Sequence, residues 1–227
     1  MHTDDSIPTA IFASGSGTNL QAVIDAAGAG ELPLDVRVVV TDREDAGAIV
    51  RARRAGIEVA IAPWRKDEES RAHYAHRLAG IVRAGGARLV LLLGWMHVLA
   101  REFLDAGFEG VLNLHPAYLP DDPAADVVVL PDGTQSPVFR GAHALRDAIE
   151  AGVKMTGASL IEITPLVDRG PLLARHALSL RAGEPEREAL ERLHEVERAV
   201  VKAGVLRWIA RARERKADAA RRTVPQD

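Results

Sequence analysis

Short apolar runs alternate with longer amphipathic stretches along the first half of the chain. The apolar runs predict five strands, at residues 9–13, 36–41, 58–62, 89–93 and 111–114, and those at 36–41, 89–93 and 111–114 are predicted to be buried. Between them, apolar residues recur at helical spacing and predict three helices, at residues 19–27, 46–55 and 70–84. This alternation is typical of a doubly wound, mostly parallel sheet of the Rossmann-like α/β class. In such sheets, ligands bind beyond the carboxyl ends of the strands.

The second half of the chain departs from this alternation. Two β-like runs flank Pro131-Asp132-Gly133 and predict a hairpin within residues 121–138. One helix and two strands are predicted after it, at residues 142–151, 155–163 and 171–179. The pattern ends in one long C-terminal helix from 186 to about 216, with Gly204 as the candidate point for a break.

Composition supports a single folded domain that spans residues 1–227, with a disordered N-terminus at 1–8. The chain is 47% hydrophobic, which is ordinary for a globular protein. It has no cysteine, so disulfides, cysteine nucleophiles and thiolate metal sites are excluded. We find no signal-peptide pattern and no apolar run long enough to span a bilayer, and we therefore expect a cytoplasmic location.

Charge is unevenly distributed. Residues 207–222 contain seven Arg or Lys and two acidic residues, so this part of the tail carries +5 while the chain as a whole carries -3. We predict a basic helical tail over residues 207–227. A solvated helix end is favoured over a nucleic-acid contact, because the rest of the chain is acidic.

A glycine-rich turn follows the first predicted strand and opens the first predicted helix. Its sequence is Ser14-Gly15-Ser16-Gly17-Thr18-Asn19. Glycines allow a tight turn, and the helix start directs free N–H groups at an anion, so the turn predicts a phosphate site. Leu20 takes the place of the third glycine in a dinucleotide fingerprint, and the lysine of a Walker A loop is absent. A tight turn without a ligand is the alternative.

Two further segments carry candidate chemistry. Asn113 and His115 lie at the end of a predicted buried strand, and their spacing puts both on one side of it. An amide and an imidazole side by side suit a negatively charged oxygen, although a histidine satisfied by its neighbours is the alternative. Asp168 lies in a loop bounded by proline and glycine, where a turn-forming role is the simpler interpretation.

Taken together, these segments resemble the phosphoribosylglycinamide formyltransferases. The resemblance covers about residues 9–206 and rests on the runs SGSGTNLQA, LLLGWMHVL, NLHPAYLP, RGAHALRDAIEAGVKMTGASL and VDRGPLL. It implies the formyltransferase fold and transfer of a formyl group from 10-formyltetrahydrofolate to the amine of glycinamide ribonucleotide, in purine synthesis. It implies no metal and no covalent enzyme intermediate.

The resemblance also assigns site residues. The implied catalytic residues are Asn113, His115 and Asp168. The implied ribonucleotide-binding residues are Gly17, Thr18, Asn19 and Glu197. The implied folate-binding residues are Arg71, Met96, His97, Val98, Leu99 and Asn113.

Several positions differ from the family pattern. His97 replaces a usual arginine, residues 198–202 lack a typical His…Tyr-Pro, and residues 121–138 contain an insertion. These differences keep two alternatives open. One is a formyltransferase for another amine, such as an amino sugar or hydroxyornithine, and the other is a non-catalytic folate- or nucleotide-binding paralogue. Expected partners are small molecules rather than nucleic acid or membrane, and the protein is expected to be a monomer or a homodimer.

Overall fold

A seven-stranded sheet forms the centre of the molecule in the computed structural model, which describes residues 6–222. Its strands are β1 (Ile7–Phe12), β2 (Leu34–Thr41), β3 (Glu58–Ile61), β4 (Leu89–Leu92), β5 (Gly110–His115), β8 (Met155–Glu162) and β9 (Leu172–Ser179). They lie in the order β3-β2-β1-β4-β5-β8-β9. The first five are parallel, while β8 and β9 are antiparallel to their neighbours. The predicted fold class is therefore confirmed.

Helices cover both faces of the sheet. They are α1 (Thr18–Gly28), α2 (Gly47–Arg54), α3 (Arg71–Ala84), α4 (Arg101–Leu104), α5 (Ala144–Glu150) and α6 (Glu186–Arg222). Alternate residues of the central strands point to opposite faces. Ile11 and Leu91 pack into a core with α1, α2, α5 and α6, whereas Phe12 and Val90 pack into a second core with α3 and α4. Each core excludes water from one face, so the sheet is buried on both sides.

The strand order reverses next to β1. The chain runs outward from β1 through β2 to β3 and then returns to place β4 on the other side of β1. At such a reversal, the loops after neighbouring strands diverge and leave a crevice. The loops after β1, β4 and β5 therefore meet at one edge of the sheet.

The long helix α6 is continuous, so a break at Gly204 was the wrong expectation. A Cβ atom at Gly204 would lie 2.5 Å from Cδ2 of Leu160 on β8. The glycine lets the helix approach the sheet closely. Helical glycine costs about 1 kcal/mol in propensity, which tertiary packing overrides here.

The predicted hairpin within residues 121–138 is present. Its strands β6 (Val127–Val129) and β7 (Gln135–Pro137) pair antiparallel.

At the N-terminus, strand β1 begins at Ile7, inside the segment predicted to be disordered, because Ile7 and Pro8 pair with β2. The rest of that prediction, for residues 1–5, and the tail prediction for residues 223–227 lie outside the described residues. Within residues 6–222, no helix is long and apolar enough to cross a membrane.

Candidate active site

A cleft of about 470 Å³ opens at the carboxyl ends of β1, β4 and β5. The loop after each of these strands lines it, and so do the loop between β8 and β9 and one face of α6. Every predicted site residue except Arg71 lines this cleft. The topology therefore brings together segments that lie up to 180 positions apart in the sequence.

The glycine-rich turn after β1 has the geometry of an anion site. Gly17 has a φ of 72°, and a Cβ atom there would lie 2.7 Å from Cα of Ala48. Both facts favour glycine, because side chains strain a left-handed backbone and the close approach leaves no room for a Cβ atom. Within residues 6–222, no side chain caps the start of α1. The first N–H groups of α1, from Thr18 onward, are thus available to a ligand.

Asn19 and Glu197 join this turn to the long helix. The Asn19 Nδ2 atom donates a hydrogen bond to Oε2 of Glu197 at 2.7 Å, and both residues are buried. The side-chain amide oxygen of Asn19, Oδ1, is also buried, and it lacks a hydrogen-bond partner within the described chain. Burial raises the pKa of Glu197 to about 7, against the lowering effects of the Asn19 hydrogen bond and the Arg198 charge. A buried acceptor without a partner suits a polar ligand.

Asn113, His115 and Asp168 form one cluster. Both β5 side chains point toward Asp168, as the alternation along a strand predicts. Asn113 Nδ2 donates to Oδ1 of Asp168 at 3.3 Å, and His115 Nδ1 lies 3.5 Å from Asp168 Oδ2. The carboxylate also accepts a hydrogen bond from the backbone N–H of Gly141 at 2.8 Å. Asp168 has a φ of 51°, a strained conformation for a non-glycine residue, and its exposed fraction is only 9%.

The imidazole of His115 is held from both sides. Nε2 lies 2.8 Å from the carbonyl oxygen of Phe139, and Nδ1 faces the Asp168 carboxylate. Both neighbours are acceptors, so both contacts are attractive only when each ring nitrogen carries a hydrogen. The site therefore has the surroundings that a proton donor requires.

The segment after β4 lines the cleft with its apolar side chains. Met96 and Val98 are 53% and 57% exposed, which is unusual for large apolar residues within a cleft. His97 is held differently: its Nε2 lies 2.9 Å from Oδ2 of Asp42, and its ring meets those of Trp64, Tyr74 and Trp95 edge-on. The imidazole therefore anchors this segment to the protein.

Arg71 lies beside the cleft rather than along it. Its Nη1 donates to the carbonyl oxygen of Val98 at 3.2 Å, and its guanidinium lies 4.2 Å from the ring centre of Trp64. Such an arginine can reach a ligand that extends from the cleft, because its stem is already positioned by Trp64.

Leu190, His194 and Leu166 are among the residues that line the cleft without having been predicted as site residues. Leu190 lies two turns and His194 one turn before Glu197 on α6, on the same face of the helix, and helical spacing from Glu197 was the signal that could have identified them. Burial lowers the pKa of His194, and the charge of Arg198 adds to this effect. Leu166, in the loop before Asp168, is 65% exposed. The position of Leu166 in the cleft follows from the loop conformation, which no sequence pattern predicted.

Comparison with known proteins identifies the family. Residues 8–131 and 133–205 match the model of the formyl transferase family. The chain belongs to the formyl transferase family. The two matched ranges include every predicted site residue. The gap between them, at residue 132, falls in the turn of the β6–β7 hairpin.

Several relatives of this formyl transferase are phosphoribosylglycinamide formyltransferases. Phosphoribosylglycinamide formyltransferase of Escherichia coli is 30% identical over 205 residues, which are 89% of this chain and 87% of the relative. The Mycobacterium tuberculosis H37Rv enzyme of the same name is 31% identical over 195 residues, covering 86% and 81%. The crystal structure of glycinamide ribonucleotide transformylase 1 from Symbiobacterium toebii has a TM-score of 0.77 at 32% identity, covering 89% and 87%. The predicted resemblance is confirmed.

Proposed function

We propose that this formyl transferase moves the formyl group of 10-formyltetrahydrofolate to the amine of 5-phosphoribosylglycinamide, as a step of purine biosynthesis. The observation that carries the proposal is the convergence of the glycine-rich turn and the Asn113–His115–Asp168 cluster on one cleft. The first feature suits a phosphate and the second an acyl transfer. The names of the relatives support both assignments.

The acceptor would bind at the α1 end of the cleft. Its phosphate would accept hydrogen bonds from the uncapped backbone N–H groups at Thr18 and Asn19, next to the left-handed Gly17. Glu197 would bind another polar part of the ribonucleotide, because its carboxyl group is buried at this end beside the unpartnered Asn19 Oδ1. This arrangement favours a phosphorylated acceptor over an amino sugar or hydroxyornithine.

The folate would bind along the segment from Met96 to Leu99. Its flat ring system would pack on the exposed apolar side chains of Met96, Val98 and Leu166, which then would lose contact with water. Arg71, held over Trp64, is placed to pair with a carboxylate at the far end of the folate. Folate is a substrate in this scheme, and the scheme uses no metal.

The reaction needs a stabilised oxyanion and a proton donor. The acceptor amine attacks the formyl carbon and gives a tetrahedral intermediate with a negative oxygen. Asn113 would donate a hydrogen bond to that oxygen, and a protonated His115 would do so from Nε2 in place of its present contact with the carbonyl oxygen of Phe139. The bond from the formyl carbon to the folate nitrogen then breaks as His115 gives its proton to that nitrogen, and the imidazole takes up the proton that the acceptor amine releases. Asp168 would stabilise the charged imidazole.

A transfer assay tests the proposal. Purified protein is mixed with 10-formyltetrahydrofolate and synthetic glycinamide ribonucleotide, and the release of tetrahydrofolate is followed spectrophotometrically. We expect turnover with this acceptor and none with an amino sugar or hydroxyornithine at the same concentration. Turnover only with another amine would mean that the acceptor is that amine, and folate binding without any turnover would favour the non-catalytic alternative.

Cell fractionation tests the expected cytoplasmic location. Measurement of the molecular mass in solution tests the choice between monomer and homodimer.

A further inference from the structure

Two arginines from different loops bind the same short turn before the β6–β7 hairpin. The turn comprises residues 123–126. Arg140 donates to the carbonyl oxygen of Ala125 at 2.6 Å, and Arg169 donates to that of Ala124 at 2.8 Å. Both then contact one carboxylate oxygen, Asp126 Oδ1, at 3.1 Å from Arg140 Nη1 and 2.5 Å from Arg169 Nη2. Asp126 therefore bridges two loops that are 29 residues apart in sequence.

The bridged arginines are direct chain neighbours of the catalytic contacts. Arg140 lies between Phe139, whose carbonyl oxygen accepts from His115, and Gly141, whose N–H donates to Asp168. Arg169 follows Asp168, the residue with the strained positive φ. A shift of either arginine would therefore move the acceptor of the imidazole or the carboxylate itself.

The charges explain why a carboxylate is needed at the bridge. Two guanidinium groups that share one oxygen are close together and repel each other, and both arginines are mostly buried. The carboxylate offsets that repulsion. The hydrogen bond from Arg169 is the main reason that the pKa of Asp126 lies below its usual value, so the bridge is charged at neutral pH.

We propose that Asp126, through Arg140 and Arg169, is a positioning residue that holds His115 and Asp168 in their reactive arrangement. The proposal rests on the proposed function, because it assigns these two residues to formyl transfer. It also gives the segment 121–138 a role: the segment supports the catalytic cluster from outside the cleft.

The same segment contains a matched control. Asp121 accepts a hydrogen bond from Nη2 of Arg175 at 2.7 Å, and this arginine also donates to the carbonyl oxygen of Leu119. Like Asp126, Asp121 is an exposed carboxylate that ties the segment to a mostly buried arginine. Arg175 lies within β9, and its hydrogen bonds go to Leu119 and Asp121 rather than to the turn at residues 123–126. Replacing Asp121 thus disturbs the segment without touching the bridge.

The test compares Asp126→Ala with Asp121→Ala in the transfer assay. We expect kcat to fall roughly tenfold in Asp126→Ala, since a misplacement of 1 Å can cost up to ~10²-fold, while KM for both substrates changes little. Asp121→Ala is expected to keep the wild-type kcat. Equal kcat values in both variants, whether high or low, would overturn the proposal. Circular dichroism and urea unfolding verify that both variants are folded.

Nitrogen NMR of the histidine rings separates this test from that of the proposed function. The His115 signals are assigned by their loss in His115→Ala. We expect them to shift in Asp126→Ala but not in Asp121→Ala. This difference would support the bridge even if the wild-type protein formylated no ribonucleotide. Identical His115 signals in both variants would overturn it.

Discussion

The amide group of Asn19 donates a 2.7 Å hydrogen bond to Glu197, and so connects the start of α1 with the middle of α6. The two residues are 178 positions apart. Burial raises the pKa of the Glu197 carboxyl to about 7, so this contact changes its charge near neutral pH. The link between the two helices is therefore sensitive to pH.

Glu197→Gln should change how stability depends on pH. The Glu197 pKa is about 7 in the folded chain, against an ordinary value of 4.5 for a glutamate side chain. The folded state therefore holds its proton more tightly, and stability falls as the pH rises from about 4.5 to 7. The glutamine side chain does not titrate, so the variant does not lose this stability. The free energy of unfolding of the variant minus that of wild type should therefore be about 2 kcal/mol higher at pH 8 than at pH 5. Urea unfolding at both pH values measures it.

Glu195→Gln is the control for this comparison. Glu195 lies on the same helix and is exposed. Its variant should follow the wild-type pH dependence. A parallel pH dependence in wild type and Glu197→Gln would contradict a raised pKa.

Replacing the catalytic cluster should stop transfer without unfolding the protein. Loss of a general acid typically costs ~10²–10⁴ in rate, and we expect losses of this order in kcat for both His115→Ala and Asp168→Asn. His176→Ala, an exposed histidine on β9, should retain wild-type turnover. Near-normal turnover of either cluster variant would refute the mechanism.

Gly17→Ala should destabilise the protein more than Gly30→Ala. Both glycines have a φ near 70°, so alanine at either position carries a left-handed strain of about 1–2 kcal/mol. A Cβ atom at Gly30 meets open space, whereas one at Gly17 would lie 2.7 Å from Cα of Ala48. We expect an additional loss of about 1–3 kcal/mol at Gly17, as for an overpacked core. Equal losses in urea unfolding would show that the α1–α2 contact relaxes.

Much of the fold could be predicted because its signals are local. Each central strand is a short apolar run, and the predicted bounds differ from the observed ones by only a few residues. Ser70 caps α3, accepting a hydrogen bond from the N–H of His73 at 3.1 Å, close to the predicted helix start at residue 70. Helix α4 (Arg101–Leu104) was missed because four residues are too few for a helical period.

Contacts between distant side chains left no such signal. The spacing of Asn113 and His115 follows from strand geometry, whereas Asp168 was assigned through the family resemblance. The Asp42–His97 pair and the Asp126 bridge join residues 14 to 55 positions apart. Which side chains meet in these contacts is determined by how the loops pack against one another. Neither hydrophobic periodicity nor secondary-structure propensity predicts that packing.

Gly204→Ala and Gly80→Ala should have opposite effects. Both glycines lie within helices, where alanine improves propensity by up to about 1 kcal/mol. Gly80 faces open space, so its variant should be more stable. At Gly204 the new methyl group would overlap Leu160, and we expect a net destabilisation of about 1–2 kcal/mol. Thermal and urea unfolding of both variants measure the difference, and stabilisation at both sites would contradict the close helix–sheet approach.

The two cores of the sheet contain separate fluorophores. Trp208 lies fully buried in the core formed with α6, against Gly110, while Trp95 and Trp64 belong to the core on the α3 face. Replacing Trp208 by Phe leaves an emission signal from one layer, and replacing the other two leaves a signal from the opposite layer. Coincident unfolding curves would mean that both layers unfold as one cooperative unit. Separate curves would reveal an intermediate in which one layer is unfolded while the other remains folded.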